Sequence, residues 1–419
     1  MSEERAAARR RDEQDPLADF RQQFHCPLRD DGRRVIYFCG NSLGLQPKDA
    51  KSVVGREIAD WAELAVDGHF EGDTPWVSYN ESLVEPTSRI VGAKPEEVAL
   101  SNTLTANLHL MMVSFYRPTA DRYKILVEGG AFPSDQYAVK SQAEFHGHDP
   151  TDAVIEVEPE EGNDVISDDD IFSAIDRHAD ELALVLFSGV HYYTGQAYDL
   201  PRIAKAAREA GANVGFDLAH AVGNVPLELH DSGADFAAWC NYKYMNAGPG
   251  AVGGYFVHER HADDDDLPRF EGWWGNNPET RFEMRPDFDP QHGAGAWQLS
   301  NAPLFSLAPL EVSLDLFEKA GLDNLREKSL ALTDYMLELL DDVPDKPFEI
   351  ITPREADRRG SQLSIRAPDI GVELFEEIRD QGVVCDYRRP SVIRVAPNPF
   401  YNSFEDVWEF CRLLRECVS

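Results

Sequence analysis

The sequence predicts an α/β protein: a large domain around a central, mostly parallel sheet, with a smaller α/β domain at the C-terminal end. Three observations carry that reading. Residues 182–187 form a short apolar run of strand character, residues 201–210 read as a helix with Pro201 in its first turn and Gly211 as its stop, and residues 213–216 form a second buried strand. Strand, helix and strand in that order make a crossover unit, which joins parallel strands. The chain has 419 residues, more than one core normally holds, and 42% are hydrophobic, so two folded domains are expected. Asp217 ends the second strand, which puts its carboxylate at the carboxyl edge of the sheet, where open α/β sheets bind ligands.

In chain order, residues 1–16 are rich in arginine, glutamate and aspartate, with no apolar core. They read as a disordered arm and not as a signal peptide or membrane anchor. The arm and the segment up to residue 59 are expected to pack with the small domain, the large domain to span residues 60–303, and the small domain residues 304–419, with Pro303 as a soft boundary. Thr105 is placed to cap the apolar helical stretch 106–112, whose first-turn N–H groups make an anion site. Gly248, Gly250 and Gly253 match a dinucleotide-binding glycine pattern, but Gly253-Gly254 runs into the strand-like Tyr255-Phe256-Val257, whereas that motif needs a helix there. Beyond Pro303, residues 304–320, 330–341 and 404–414 read as helices, and 361–366, 383–386 and 391–397 as strands.

The chemistry concentrates in Asp217, His220 and Lys243. A lysine amine can hold a cofactor aldehyde as a Schiff base, and an upstream carboxylate can pair with a pyridine nitrogen and keep it protonated, which makes the ring an electron sink. Lys243 lies in Asn241-Tyr242-Lys243-Tyr244, whose polar and aromatic character suits a loop facing a cofactor. The pattern therefore reads as a pyridoxal 5′-phosphate site. An α-amino acid bound there needs a cation for its carboxylate, and Arg394, in the apparent strand 391–397, is the candidate fork.

A formal charge of −35 repels nucleic acid and acidic membranes, and no apolar run is long enough to span a bilayer. Six cysteines without a C-x-x-C pair fit reduced thiols in a cytoplasmic protein, and twelve histidines show no H-E-x-x-H, so no metal site is expected. Ten lysines stand against thirty arginines, and Asp168 to Asp170 and Asp263 to Asp266 are acidic runs. This composition resembles that of proteins from salt-accumulating halophiles, where molar salt shortens the Debye length to ~3 Å and screens the self-repulsion.

Over most of its length the chain resembles the kynureninases, in the aspartate-aminotransferase-like superfamily of type I pyridoxal-phosphate enzymes. The resemblance rests on Gly40-Asn41-Ser42-Leu43-Gly44-Leu45-Gln46-Pro47, Leu104-Thr105-Ala106-Asn107, Phe132-Pro133-Ser134-Asp135, Tyr193-Thr194-Gly195-Gln196 and Phe216-Asp217-Leu218-Ala219-His220. Tyr242-Lys243-Tyr244, Gly272-Trp273-Trp274-Gly275, Ser300-Asn301 and Ile393-Arg394-Val395-Ala396-Pro397 extend it.

That resemblance implies a type I pyridoxal-phosphate transferase fold and a homodimer with sites at the subunit interface. It makes Lys243 the Schiff-base lysine, Asp217 the pyridine partner and Phe132 the stacking ring. Leu104, Thr105, Pro133, Ser134, Asp135, Ser188, His220, Trp273 and Asn301 become further cofactor contacts. Tyr242 is both a phosphate contact and a candidate proton donor. Arg394, His69, Ser300 and Asn301 become the substrate set, with a modest preference for L-3-hydroxykynurenine over L-kynurenine. Two rivals stay open: another enzyme of the fold, such as a cysteine desulfurase or an aminotransferase, and a non-catalytic acidic protein. A desulfurase needs a mobile nucleophilic cysteine, and none of the six lies in an obvious glycine- or serine-rich loop.

Overall fold

The computed structural model describes residues 3–264 and 266–418. Seven strands form the central sheet: β1 (Val98–Leu100), β2 (Lys124–Glu128), β3 (Val154–Val157), β4 (Leu182–Ser188), β5 (Asn213–Asp217), β6 (Phe236–Cys240) and β7 (Gly253–Val257). Their spatial order is β1-β7-β6-β5-β4-β2-β3. Neighbours from β6 to β3 run parallel, and β7 is antiparallel to both β6 and β1. Six of the seven residues of β4 are buried, as a strand covered on both faces requires, which is why it reads as an unbroken apolar run.

The crossover helix α3 (Leu200–Glu209), which follows α1 (Leu104–Phe115) and α2 (Pro133–Phe145) in this sheet's helical layers, starts one residue before the sequence reading. The Asp199 carboxylate accepts the Arg202 N–H at 3.1 Å, and Leu200, Ile203, Ala204 and Ala207 form its buried stripe. Gly211 follows it at φ +76°, a conformation that glycine adopts without strain.

At the C-terminal end, helices α4 (Leu304–Ala320), α5 (Leu322–Asp341) and α6 (Phe404–Val418) accompany an antiparallel sheet. Its strands are β8 (Glu349–Ile350), β9 (Leu363–Arg366), β10 (Asp386–Arg388) and β11 (Val392–Val395), in the order β8-β9-β11-β10. Residues 383–386, read as one strand, are divided: Val383–Val384 pairs in parallel with Ile36–Tyr37, and β10 begins at Asp386. The change of core falls later than Pro303. Leu307, Leu310, Leu314 and Leu325 belong to the apolar core of the large unit, whereas Leu332, Met336, Leu340, Ile365 and Phe410 form a separate core. Residues 322–341 form one helix, so the covalent element bridges both cores.

The disordered arm expected for residues 1–16 is corrected: Glu3–Glu13 is a helix against α6. The Asp12 carboxylate accepts the N–H groups of Phe404 and Glu405 at 2.7 and 3.0 Å, capping α6 from outside. Arg5 and Arg9 reach Glu405, and Arg11 lies 4.5 Å from the centre of the Tyr335 ring. The helix is held mainly by charge, with Ala8 its one buried residue, so it has no apolar stripe to announce it. Among the described residues no helix is long and apolar enough to cross a membrane.

Candidate active site

The carboxyl ends of β2, β4 and β5 stand side by side and deliver Glu128, Ser188 and Asp217 to one place. Ser188 is directly opposite Asp217 in the sheet register, and its N–H meets both Glu128 carboxylate oxygens at 3.2 and 3.1 Å. The loop after β6 brings Lys243, and β10 and β11 bring Arg388 and Arg394, so that a cavity of about 340 Å³ is enclosed between the two sheets.

Lys243 Nζ lies 6.0 Å from the centre of the Phe132 ring and 5.9 Å from that of Tyr242. Its loop is fixed from behind by the Gly40-to-Gly44 block: the Gly44 N–H donates to the Tyr242 carbonyl at 2.9 Å, and a Cβ on Gly44 would stand 2.5 Å from the Lys243 carbonyl. That contact explains why glycine is needed there. Phe132 is half-exposed at the mouth, with its ring edge-on to Tyr192 at 5.1 Å. Pro133 is the first residue of α2 and does not line the cavity, whereas Ser134 and Asp135 in the same turn do.

Helix α1 points its start at the cavity, and Leu104 and Thr105 line it. The cap reading is corrected by two residues, because Thr103 occupies the N-cap in extended backbone and Thr105 is the second helical residue. First-turn N–H groups lack intrahelical partners, so an anion is welcome there whichever threonine precedes them.

Three carboxyl groups crowd the deep end. The Ala219 N–H donates to Asp217 Oδ1 at 2.7 Å. Burial and the neighbouring Asp217 carboxylate push Asp135 well above the ordinary range, making it the protonated partner that donates to Asp217. Burial raises Glu128 to about 7. His220 is driven well below its ordinary value by burial first and by the Lys243 charge second, so it stands neutral. His191, just outside, is held at about 4 by burial. Burial also pushes the Tyr242 hydroxyl upward, which keeps its proton available for donation.

Pyridoxal phosphate fits this donor set. Asp135 Oδ1, Ser188 Oγ and His220 Nδ1 are buried without hydrogen-bond partners, and all three residues line the cavity. Three orphaned polar atoms around one void call for a polar guest. Asp217 is placed to pair with a pyridinium, Phe132 to cover a ring, and the start of α1 to receive a phosphate.

Not every expected residue is gathered. His69, Trp273, Ser300 and Asn301 do not line this cavity. His69 and Trp273 belong to a partly exposed aromatic chain, in which Phe70 contacts His69 at 6.3 Å and Phe282 at 5.6 Å, and Phe282 contacts Trp273 at 5.6 Å. Ser300 and Asn301 are exposed just before α4. Conversely, Asn41, Ser42, Glu128, Tyr192 and Arg388 line the cavity and were given no role from sequence. Glu128 carried a usable signal, since it ends an apolar strand as Asp217 does.

Among the described residues one other grouping of metal-ligand type, Glu97, His230 and His258, lies apart from the cavity. Its lone pairs are engaged: Glu97 accepts from the N–H groups of Lys94 and Glu259 and sits 2.9 Å from His230 Nδ1, and His258 Nδ1 accepts from the Arg260 N–H. It clamps three segments together.

Comparison with known proteins decides the lineage. A family model described as the kynureninase C-terminal domain matches residues 325–414. The kynureninase of Myxococcus xanthus is 54% identical over 407 residues, covering 97% of this chain and 96% of the relative, and that of Flavobacterium johnsoniae is 52% identical over 417 residues, covering 99% and 98%.

The chain belongs to the kynureninase family.

Solved structures agree on the fold. A cysteine desulfurase from Thermococcus onnurineus superposes with a TM-score of 0.75 at 18% identity, covering 96% of this chain and 97% of that one. A C-DES mutant with glycine covalently linked to the PLP cofactor gives 0.77 at 16% identity, covering 94% and 98%. These likenesses establish the type I pyridoxal-phosphate fold.

Proposed function

We propose that the protein is a pyridoxal-phosphate-dependent hydrolase that cleaves the Cβ–Cγ bond of L-kynurenine and L-3-hydroxykynurenine. The products are anthranilate or 3-hydroxyanthranilate and L-alanine, in tryptophan catabolism and NAD biosynthesis in the cytoplasm. The observation that carries the reading is the meeting of Lys243, Asp217 and Arg394 in one cavity, in a chain 54% identical over nearly its whole length to a kynureninase. Six thiols, none of them exposed, give no support to a desulfurase.

Bound through Lys243, pyridoxal phosphate supplies an electron sink for bonds broken at the substrate α-carbon. Asp217 holds the pyridine proton. The start of α1 anchors the phosphate, and Phe132 covers one face of the ring. Arg394 takes the α-carboxylate. The Lys243 amine, which would hold the cofactor, carries the α-proton. A water adds to the γ-carbonyl, and its collapse releases the aromatic acid, while the Tyr242 hydroxyl returns a proton to the β-carbon and alanine leaves. His69, Trp273, Ser300 and Asn301 serve the cavity of a second copy in a homodimer. In this reading the exposed Phe70, Trp273 and Phe282 become buried, and His69 with Asn301 favours the 3-hydroxy substrate.

The test is release of fluorescent anthranilate in molar potassium chloride with added cofactor. The intact protein forms product and Lys243→Ala forms none; a yellow wild-type protein that releases no aromatic acid sinks the reading.

A further inference from the structure

Arg394 is almost fully buried, at 1% exposure, yet it lines the cavity. A guanidinium has five N–H donors. Nε donates to Asp386 Oδ1 at 2.7 Å, Nη2 donates to Asp386 Oδ2, and Nη1 donates to the Tyr192 carbonyl at 2.6 Å. Three of the five are therefore spent, leaving one on each terminal nitrogen. Two N–H groups on adjacent nitrogens are what a carboxylate grips in a bidentate pair.

The arrangement is fixed by the backbone. Asp386 and Arg394 are direct cross-strand partners in the antiparallel pair β10 and β11, so the sheet register sets their approach. Asp386 also faces Arg388, whose Nη2 is 3.3 Å from Oδ2 and which lines the same cavity. Two guanidiniums and one carboxylate leave this wall with one positive charge in excess, the complement of a single carboxylate.

We infer that Asp386 is a positioning residue for substrate binding: it takes one edge of the Arg394 fork and so presents the remaining N–H pair to the α-carboxylate of the amino acid. The inference rests on the proposed function, in which Arg394 receives that carboxylate. Asparagine at 386 keeps the size but offers an N–H₂ where the guanidinium needs an acceptor, so the fork turns away.

The experiment compares wild-type and Asp386→Asn holoenzyme for kcat and KM with L-kynurenine. It also measures inhibition by 2-aminoacetophenone, which keeps the aromatic amino-ketone and lacks the α-carboxylate. The expected result is a KM raised about ten- to a hundredfold with kcat within about threefold and inhibition unchanged. Asp386→Glu, which restores the acceptor pair on a longer arm, recovers part of the loss, and it decides the matter if the asparagine variant does not fold. Unchanged KM in an active enzyme overturns the positioning role, as does weakening of 2-aminoacetophenone in parallel with substrate. A wild-type protein without turnover overturns the activity reading beneath it.

Discussion

Glu128 offers a measurement that separates buried charge from general acidity. Its side chain is 2% exposed at the end of β2 and burial holds its carboxyl at about 7, against an ordinary 4.5. An acid raised in this way stays protonated in the folded protein while the unfolded chain has already released its proton. Its contribution to stability is therefore present below about 4.5 and lost as the pH climbs through about 7. Each tenfold change in proton affinity is worth about 1.4 kcal/mol, so full ionisation withdraws about 3 kcal/mol, of which about 2.5 falls between about pH 5 and about pH 8. Glu128→Gln keeps an acceptor for the Ser188 N–H and cannot ionise. Urea unfolding of the cofactor-free proteins, followed by tryptophan fluorescence in constant molar potassium chloride, gives the difference at each pH. The variant gains about 2.5 kcal/mol on wild type between the two. A difference that stays constant within about 0.5 kcal/mol refutes the argument, because it means that the Glu128 carboxylate meets water in the folded protein.

Gly44→Ala places a methyl against the Lys243 carbonyl and Asn246, so the lysine loop shifts at a cost of about 1–3 kcal/mol. Yellow cofactor absorbance after dialysis falls well below that of Gly55→Ala, whose added methyl meets nothing within 4 Å; equal retention removes the role given to Gly44. Asp12→Ala uncaps α6 and lowers unfolding stability by about 0.5–2 kcal/mol, and an unchanged urea midpoint shows that the N-terminal helix contributes nothing. With a net charge of −35, the melting temperature rises by on the order of 10 °C from dilute buffer to molar potassium chloride; no rise tells against a salt-adapted fold.

Much of the candidate site was legible because its signals are local. An apolar run closed by Asp217 says strand and carboxyl edge within five residues, and Gly253-Gly254 entering Tyr255-Phe256-Val257 excludes a dinucleotide motif, as β7 confirms. The same grammar closes an apolar strand with Glu128. The N-terminal helix was not legible, since charge pairs with Glu405 and the cap on α6 hold a segment with no apolar stripe. The packing of α4 was not legible for a related reason: its apolar residues suit either core, and only the tertiary structure shows that Leu307, Leu310 and Leu314 join that of the large unit.

The sequence by itself determined the α/β class and the crossover unit and singled out Lys243, Asp217, His220 and Arg394, which line one cavity, because strand period, helix punctuation and motif order are properties of neighbouring residues. Only the tertiary structure decided that Glu128 and Asp135 share the deep end with Asp217, that Asp386 takes one edge of the Arg394 fork, and that His69 and Asn301 stand outside this cavity. Those outcomes depend on sheet order, register and burial, which bring together side chains far apart in the chain and set whether a carboxyl group keeps its proton.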